Sequence, residues 1–177
     1  PTLRRQRQMC IRDRLDIPPI EQYSVRVGRA NKLWVVGRLL ARMSDEDQTI
    51  IFTNTKRMVD LLVQRLKKHR FDVEGIHGDL SQNQREKIIS KFKNGECKVV
   101  IATDVAARGI DVDGITLVIN YDVPDDVDNY VHRIGRTGRI GRKGEAWVLV
   151  GRDDLPQINK IAATHSLDII PTEAPDL

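Results

Sequence analysis

Four short apolar runs, rich in β-branched residues, dominate the hydrophobic pattern of the chain. They are TIIFTN (49–54), KVVIAT (98–103), TLVINYD (116–122) and AWVLVG (146–151). Their apolar positions are almost continuous rather than alternating, which predicts parallel strands that are covered on both faces. The stretch FDVEGIHG (71–78) predicts a further, weaker strand.

Helical patterns lie between and beside these runs. In residues 55–69, apolar side chains form one stripe, and lysines and arginines stand opposite it. Ser81 and Gln84 have the spacing of a capping box, so a second helix is predicted to start there and to end near residue 94. Residues 31–43 and 153–165 supply two more helical patterns. Strands that alternate with helices predict an α/β domain built on a mainly parallel sheet.

Polar residues follow the predicted strands at the point where each strand ends. They are Thr53-Asn54, His77-Gly78-Asp79, Thr103-Asp104 and Tyr121-Asp122. In an open parallel sheet, ligands bind at the carboxyl ends of the strands. The sequence therefore predicts one functional edge, formed by these four polar clusters.

The net charge of the chain is concentrated at one end. The 177 residues carry a formal charge of +4, and the pI is about 9.2. Residues 1–14 hold five arginines and one aspartate, so they account for the whole excess, and the remainder balances 24 basic with 24 acidic side chains. Because this arginine-rich lead has no apolar core of its own, it is interpreted as disordered or foreign sequence.

The cysteines and the hydropathy exclude several classes of protein. Cys10 and Cys97 form no pair with the spacing of metal ligands. No apolar run approaches the roughly 20 residues of a membrane-spanning helix, and the chain opens without a signal-peptide pattern. These observations predict a reduced, cytoplasmic protein with no metal site and no membrane partner.

An unusual stretch, HRIGRTGRIGRK, covers residues 132–143. Its arginines recur at every third position, with glycines between them, and glycine destabilises a helix interior by about 1 kcal/mol relative to alanine. A helix running through the whole stretch is therefore not expected. By itself the stretch fits a solvated basic turn, a nonspecific nucleic-acid patch, or a set of guanidinium groups arranged to bind phosphate oxygens.

Four long motifs, in order, resolve these alternatives. They are IIFTNTKR (50–57), HGDLSQNQR (77–85), ATDVAARGIDVDGITLVINYDVP (102–124) and YVHRIGRTGR (130–139). Together they resemble the C-terminal RecA-like domain of a DEAD-box ATP-dependent RNA helicase, over about residues 20–168. The resemblance implies a RecA-like three-layer sandwich with helices on both faces of the sheet. Residues 1–19 would be a lead or linker, and residues 169–177 a C-terminal tail.

The resemblance also implies how ATP is bound. Arg136 and Arg139 would be the catalytic residues that reach the γ-phosphate of ATP, where an arginine finger contributes about 10³–10⁵ in rate. Asp111 would accept hydrogen bonds from the ribose hydroxyls. His132 and Arg133 would couple the nucleotide site to the interface with the other lobe. Arg142 lies beyond the motif and is expected to be solvated.

The same resemblance implies an RNA groove. Residues that would hold the sugar-phosphate backbone are Thr53, Gly78, Arg85 and Thr103. Gln82 pairs with Arg85 in a Q-x-x-R motif and joins the residues that couple the two lobes. Because contacts to phosphate and sugar specify no sequence, RNA binding is expected to be sequence-independent. Both tryptophans, Trp34 and Trp147, are expected in the core.

Part of an ATP site is not found in the chain. The G-x-x-x-x-G-K-[ST] phosphate loop does not occur, and the acidic run 45–47 precedes a strand as a loop. ATP and Mg²⁺ would therefore be held largely by an N-terminal RecA-like lobe, and this domain would be inactive alone. Two other hypotheses are an RNA-binding adaptor without ATP chemistry and the lobe of a DNA helicase. The first hypothesis is disfavoured by Asp111, Arg136 and Arg139, and the second by His132 at the head of its motif.

Overall fold

The fold is an alternation of strands and helices, as the hydrophobic pattern predicts. The computed structural model describes residues 20–138, 143–164 and 167–175. Its strands are Ile20–Arg26 (β1), Gln48–Phe52 (β2), Val73–Ile76 (β3), Val99–Ala102 (β4), Ile115–Asn120 (β5), Gly144–Val150 (β6) and Ile169–Thr172 (β7). Its α-helices are Lys32–Ala41 (α1), Lys56–Lys68 (α2), Gln82–Lys93 (α3), Asp104–Ala107 (α4), Val127–Ile134 (α5) and Leu155–Thr164 (α6).

The strands form one parallel sheet in the order β3-β4-β2-β5-β6-β1-β7. Successive residues of a strand point to opposite faces, and the core accordingly divides in two. Ile50 of β2 packs in one cluster with Phe92 of α3, whereas Ile51 packs in the other with Leu62 of α2. The predicted α/β architecture, with a buried parallel sheet between two layers of helices, is confirmed.

Two of the seven strands were not predicted, and both lie at one side of the sheet. β1, with the sequence IEQYSVR, is largely half-buried and shows no continuous apolar run. β7 is a short edge strand that contains Pro171. Proline has no N–H to donate to a neighbouring strand, so it is tolerated at the edge of a sheet but not in a central strand. Since β7 pairs with β1, the folded domain extends beyond the predicted boundary at residue 168.

The two tryptophans have different environments. Trp147 is buried, with 4% of its surface exposed, as predicted. Trp34 is 55% exposed, so its assignment to the core was wrong. The apolar stripe of α1 is formed by its buried valines and leucines, and Trp34 lies off that stripe, where the guanidinium of Arg38 stacks at 4.4 Å from the ring centroid.

Helix ends follow the local sequence signals. Ser81 and Gln84 form both hydrogen bonds of the predicted capping box at the start of α3. α5 ends at Gly135, which confirms that no helix runs through the whole arginine stretch. No helix within the described parts of the chain is both long and apolar enough to span a bilayer.

Candidate functional site

The predicted polar clusters meet along one edge of the sheet. Strands β4, β2 and β5 are parallel neighbours, so the residues that follow them lie side by side. β3 pairs with β4 on the outer side and adds the His77–Asp79 turn to the same edge. The prediction of one polar edge at the carboxyl ends of these strands is confirmed.

Arg133 occupies the centre of this edge and is 1% exposed. Its Nε and Nη2 donate to the two carboxylate oxygens of Asp104, at 2.6 and 2.7 Å. Nη2 also donates to Asn54 Oδ1 at 2.7 Å, and Nη1 donates to the Asp122 carbonyl at 2.8 Å and to Asn120 Oδ1 at 3.4 Å. A guanidinium has five N–H groups, and all five are bonded inside this domain.

These contacts change the interpretation of Arg133. The resemblance assigns it, with His132, to coupling between lobes, but its guanidinium is saturated by the ends of β2, β4 and β5. A buried charge is tolerated when it is paired and fully hydrogen-bonded, and Arg133 meets that condition. Any coupling through Arg133 is therefore indirect, by the position of its partners. His132, the residue before Arg133 on α5, is exposed.

The partners of Arg133 were missed in the sequence. Asp104 and Asn54 were recognised as polar residues at strand ends, but nothing in their spacing links them to an arginine far along the chain. The usable signal is that a buried arginine needs an acidic partner, and Asp104 follows a fully buried strand.

Arg136 lies one turn beyond Arg133, after the end of α5. Its Nη1 donates to the carbonyl of Ile110 at 2.6 Å, and Ile110 is followed directly by the exposed Asp111. The loop reaches this position through Gly109, whose φ of +81° is one that other residues resist. Two of the predicted nucleotide-binding residues, Arg136 and Asp111, therefore belong to one locally fixed structure.

A small cleft separates α4 from α5 beside this loop. It is lined by Phe52, Asp104, Ala107, Arg108, Asn129, His132, Arg133 and Arg136. Its volume of about 20 Å³ is enough for one water molecule and far too small for a nucleotide. A nucleotide at this edge would contact the surface of the domain and would not fit inside this cleft.

The remaining predicted catalytic residue, Arg139, lies outside the described residues, as does Arg142. The residues on either side of that segment are closely packed. Thr137 Oγ1 donates to the Ile115 carbonyl at 2.6 Å. A Cβ added to Gly144 would lie 2.6 Å from the same hydroxyl oxygen. Thr137, before the segment, is thus bonded to the start of β5, and Gly144, after the segment, packs against Thr137.

Among the predicted RNA-binding residues, Thr53 has its side chain inside the domain. It is 0% exposed, and its hydroxyl donates to the Thr55 carbonyl at 3.0 Å. Its side chain therefore has no exposed surface for a ligand in this structure. Thr53 instead supports the exposed Asn54–Thr55 turn, in which the Asn54 N–H donates to Asp122 Oδ2 at 2.8 Å.

The other predicted RNA-binding residues are accessible. Gly78 is exposed, and Thr103 is half-buried with its hydroxyl accepting the Ala106 N–H at 3.4 Å. Arg85 Nη2 donates to the Arg108 carbonyl and so joins α3 to the loop after α4. Arg85 does not pair with Glu86; instead Gln82 Nε2 donates to that carboxylate at 3.2 Å.

A larger concave surface than this cleft lies elsewhere. A groove of about 880 Å³ runs between the ends of β1 and β7 and the start of α1, past Trp34. None of the predicted site residues lines it. Within residues 20–138, 143–164 and 167–175, no group of three metal-ligating side chains occurs.

Comparisons with known proteins agree with this architecture. The family described as helicase conserved C-terminal domain matches residues 31–141. Over 165 residues the chain is 41% identical to the ATP-dependent RNA helicase FAL1 of Kluyveromyces lactis, covering 92% of this chain and 41% of that protein. Over 156 residues it is 44% identical to the ATP-dependent RNA helicase CshA of Limosilactobacillus reuteri, covering 88% and 31% respectively.

Solved structures show the same likeness. Dbp5 of Saccharomyces cerevisiae, bound to RNA and ADP BeF3, has a TM-score of 0.83 and 34% identity, over 89% of this chain and 42% of that one. A DEAD-box protein from Methanococcus jannaschii has a TM-score of 0.80 and 40% identity, over 87% and 42%. The chain spans less than half the length of each of these relatives. It belongs to the DEAD-box helicases and has the sequence and the RecA-like fold of their conserved C-terminal domain.

Proposed function

We propose that this chain acts as the second lobe of an ATP-dependent RNA helicase. It would close with an N-terminal RecA-like lobe around ATP and a single RNA strand, and so open short duplexes locally. The observation that carries the proposal is the arrangement of Arg136, Asp111 and Arg133 along one edge of the sheet. The same proposal includes ATP as the nucleotide, RNA as the substrate and an intracellular location.

Arg136 and Arg139 would supply the positive charge at the γ-phosphate. Phosphoryl transfer is catalysed mainly by positioning and by electrostatic stabilisation, and a guanidinium fork matches phosphate oxygens. The bond from Arg136 to the Ile110 carbonyl holds one arginine beside Asp111, whose carboxylate would accept the ribose hydroxyls. Magnesium would be bound by other groups, because these residues do not form a site for it.

Gly78, Arg85 and Thr103 would hold the RNA backbone. Arg85 offers a guanidinium to a phosphate, Thr103 offers a hydroxyl, and Gly78 lets a strand approach the main chain. These groups address phosphate and sugar rather than base edges, so the proposed binding is independent of sequence.

Arg133 and Asp104 would connect the two functions. Asp104 directly follows the proposed RNA contact Thr103, and Arg133 stands one helical turn before the proposed ATP contact Arg136. Because the contact is bidentate and Arg133 is buried, a shift of α5 would move the start of α4 with it. This gives a physical route by which closure on ATP could reposition the RNA groove.

The domain alone is proposed to be inactive. Asp111 and the two arginines would form only one wall of an ATP site, so affinity for ATP should be weak and turnover absent. RNA-stimulated hydrolysis of ATP by the purified 177-residue chain would contradict this part of the proposal.

The decisive experiment replaces Arg139 by lysine in a protein that joins this chain to the N-terminal lobe of a DEAD-box relative. Arg139→Lys preserves charge but removes the guanidinium fork, so hydrolysis should fall by at least about 10²-fold. RNA affinity should stay nearly unchanged, because the proposed groove residues are elsewhere. Arg142→Lys is the control and should be close to silent. Equal effects of the two substitutions, or a loss confined to RNA affinity, would refute the assignment.

A further inference from the structure

His77 is held in one orientation between α2 and the turn after β3. Its side chain is 9% exposed, and Nε2 lies 2.9 Å from Asp60 Oδ1. On the other side of the ring, Nδ1 accepts the backbone N–H of Asp79 at 3.2 Å. Neither contact has a role in the ATP or RNA contacts described above.

These two bonds fix the tautomer of the ring. A backbone N–H can only donate, so in the neutral imidazole Nδ1 is the acceptor. The ring proton is then on Nε2 and is donated to the Asp60 carboxylate. A carboxylate that orients a histidine in this way selects both its tautomer and its rotation.

A second bond ties the same turn to the same helix. Lys56 Nζ lies 2.9 Å from Asp79 Oδ1, and this hydrogen bond lowers the pKa of the Asp79 carboxyl. Both residues that flank Gly78 are thus anchored to α2, one through Asp60 and the other through Lys56.

Gly78 itself contrasts with its neighbours. It is exposed, and a Cβ built on it would meet nothing within 4 Å. Its φ lies outside the left-handed region that favours glycine. Among the described residues, no hydrogen bond engages the Gly78 N–H. The fold therefore does not require glycine here, and the main chain at this position is open toward solvent.

We propose that His77 is a positioning residue for RNA: with Asp60 behind it, the imidazole sets the turn so that the Gly78 main chain meets a backbone phosphate of the strand. This inference rests on the proposed function, since it assumes that RNA runs along this edge. Imidazole suits the role because Nδ1 accepts a hydrogen bond from the turn while Nε2 of the same ring donates one to Asp60 on α2. A preformed contact avoids the entropy of ordering the turn during binding.

The test uses the protein that joins this chain to an N-terminal lobe, and poly(U) RNA as the probe. His77→Ala removes both bonds, and loss of a positioning hydrogen bond should raise the RNA concentration for half-maximal ATPase stimulation by about fivefold. The KM for ATP and the ATPase rate at saturating RNA should stay near wild type. His77→Asn places an amide oxygen near the position of Nδ1 and should restore most of the RNA affinity.

Asp60→Asn keeps an acceptor for Nε2 and should also remain close to wild type. The matched control is Glu145→Gln, which weakens a surface ion pair with Arg42 away from the Gly78 turn. If His77→Ala lowers the urea midpoint but leaves RNA half-saturation unchanged, His77 is only a structural tie and the proposal is overturned.

The same assay separates this inference from the proposed function. If RNA stimulates ATP hydrolysis, Arg139→Lys abolishes it and His77→Ala leaves RNA half-saturation unchanged, only the role of His77 fails. If the joined protein shows no RNA-stimulated hydrolysis, the proposed function fails, and the role of His77 falls with it.

Discussion

Arg133 binds Asp104 through two parallel hydrogen bonds, Nε to Oδ1 at 2.6 Å and Nη2 to Oδ2 at 2.7 Å. The arginine is on α5 and the aspartate opens α4, so the pair joins two helices that lie far apart in sequence. The other donors of the same guanidinium hold Asn54, Asn120 and the Asp122 carbonyl. One side chain thus fixes the ends of three neighbouring strands.

The first prediction concerns the stability that this contact provides. Arg133→Lys keeps the charge but has three donors on a point-like ammonium instead of a planar fork. Asp104 and the two asparagines would lose partners, and the free energy of unfolding should fall by about 3 kcal/mol. Urea unfolding followed by circular dichroism measures the change.

Arg42→Lys serves as the comparison, because Arg42 donates two hydrogen bonds from Nη2 to the Glu145 carboxylate at the surface. That exchange should alter stability by less than about 1 kcal/mol. Equal midpoints for the two variants would mean that Arg133 contributes no more than a surface pair.

The second prediction concerns two glycines in different surroundings. Gly78→Ala should leave the free energy of unfolding unchanged or raise it by about 0.5 kcal/mol, because the added methyl group meets nothing. In the two-lobe protein the same substitution should weaken RNA binding, since the methyl group stands where the strand approaches. Fluorescence anisotropy with a labelled single-stranded RNA measures the affinity.

Gly144→Ala should behave in the opposite way. Its Cβ would lie 2.6 Å from Thr137 Oγ1 and 2.7 Å from the Gly138 nitrogen, so the unfolding free energy should fall by about 1–3 kcal/mol. An unfolding midpoint as high as that of Gly78→Ala would show that the flanks of the Arg139 segment are not tightly packed.

The third prediction concerns the thiol of Cys97. It is 2% exposed, and burial raises its pKa to about 11. A protonated, inaccessible thiol reacts slowly, so in a Cys10→Ser background a disulfide reagent at pH 8 should label almost nothing until urea is added. Rapid labelling of the native protein would indicate that the core around α3 and β4 opens readily.

The fourth prediction concerns the arginine-rich lead. Residues 1–14 carry the entire net charge of the chain, and phosphate binding by basic residues weakens as salt rises. Deletion of this segment should reduce the RNA affinity of the isolated domain at low salt and flatten its salt dependence. An unchanged affinity and slope would place the binding in the folded domain.

The sequence predicted the core well because the core obeys local rules. Continuous apolar runs marked β2, β4, β5 and β6, and the spacing of Ser81 and Gln84 marked the start of α3. β1 and β7 were missed because their residues are mostly half-buried or exposed, so no apolar run distinguishes them. Their pairing depends on partners far along the chain, which local patterns do not reveal.

The site was predictable as a set of residues but not as a set of contacts. The motifs selected Thr53 and Arg133, and both turned out to be buried. Thr53 faces inward because the strand register places it there, next to the Ala102 carbonyl that accepts its N–H. Arg133 is satisfied by side chains from three separate strand ends, and only the folded sheet brings those together.

β1 lies between the last two strands of the chain, Gly144–Val150 and Ile169–Thr172, and this order matters during translation. Of the strands described in this domain, β1 is synthesised first, and it has no partner until β6 has been synthesised. The inner strands can pair before then, but β1 stays unpaired until β6 emerges. Pairing between such distant segments is slow, and an unpaired edge can template aggregation. A nascent chain interrupted before β7 would leave the outer edge of β1 open, as a binding site for chaperones.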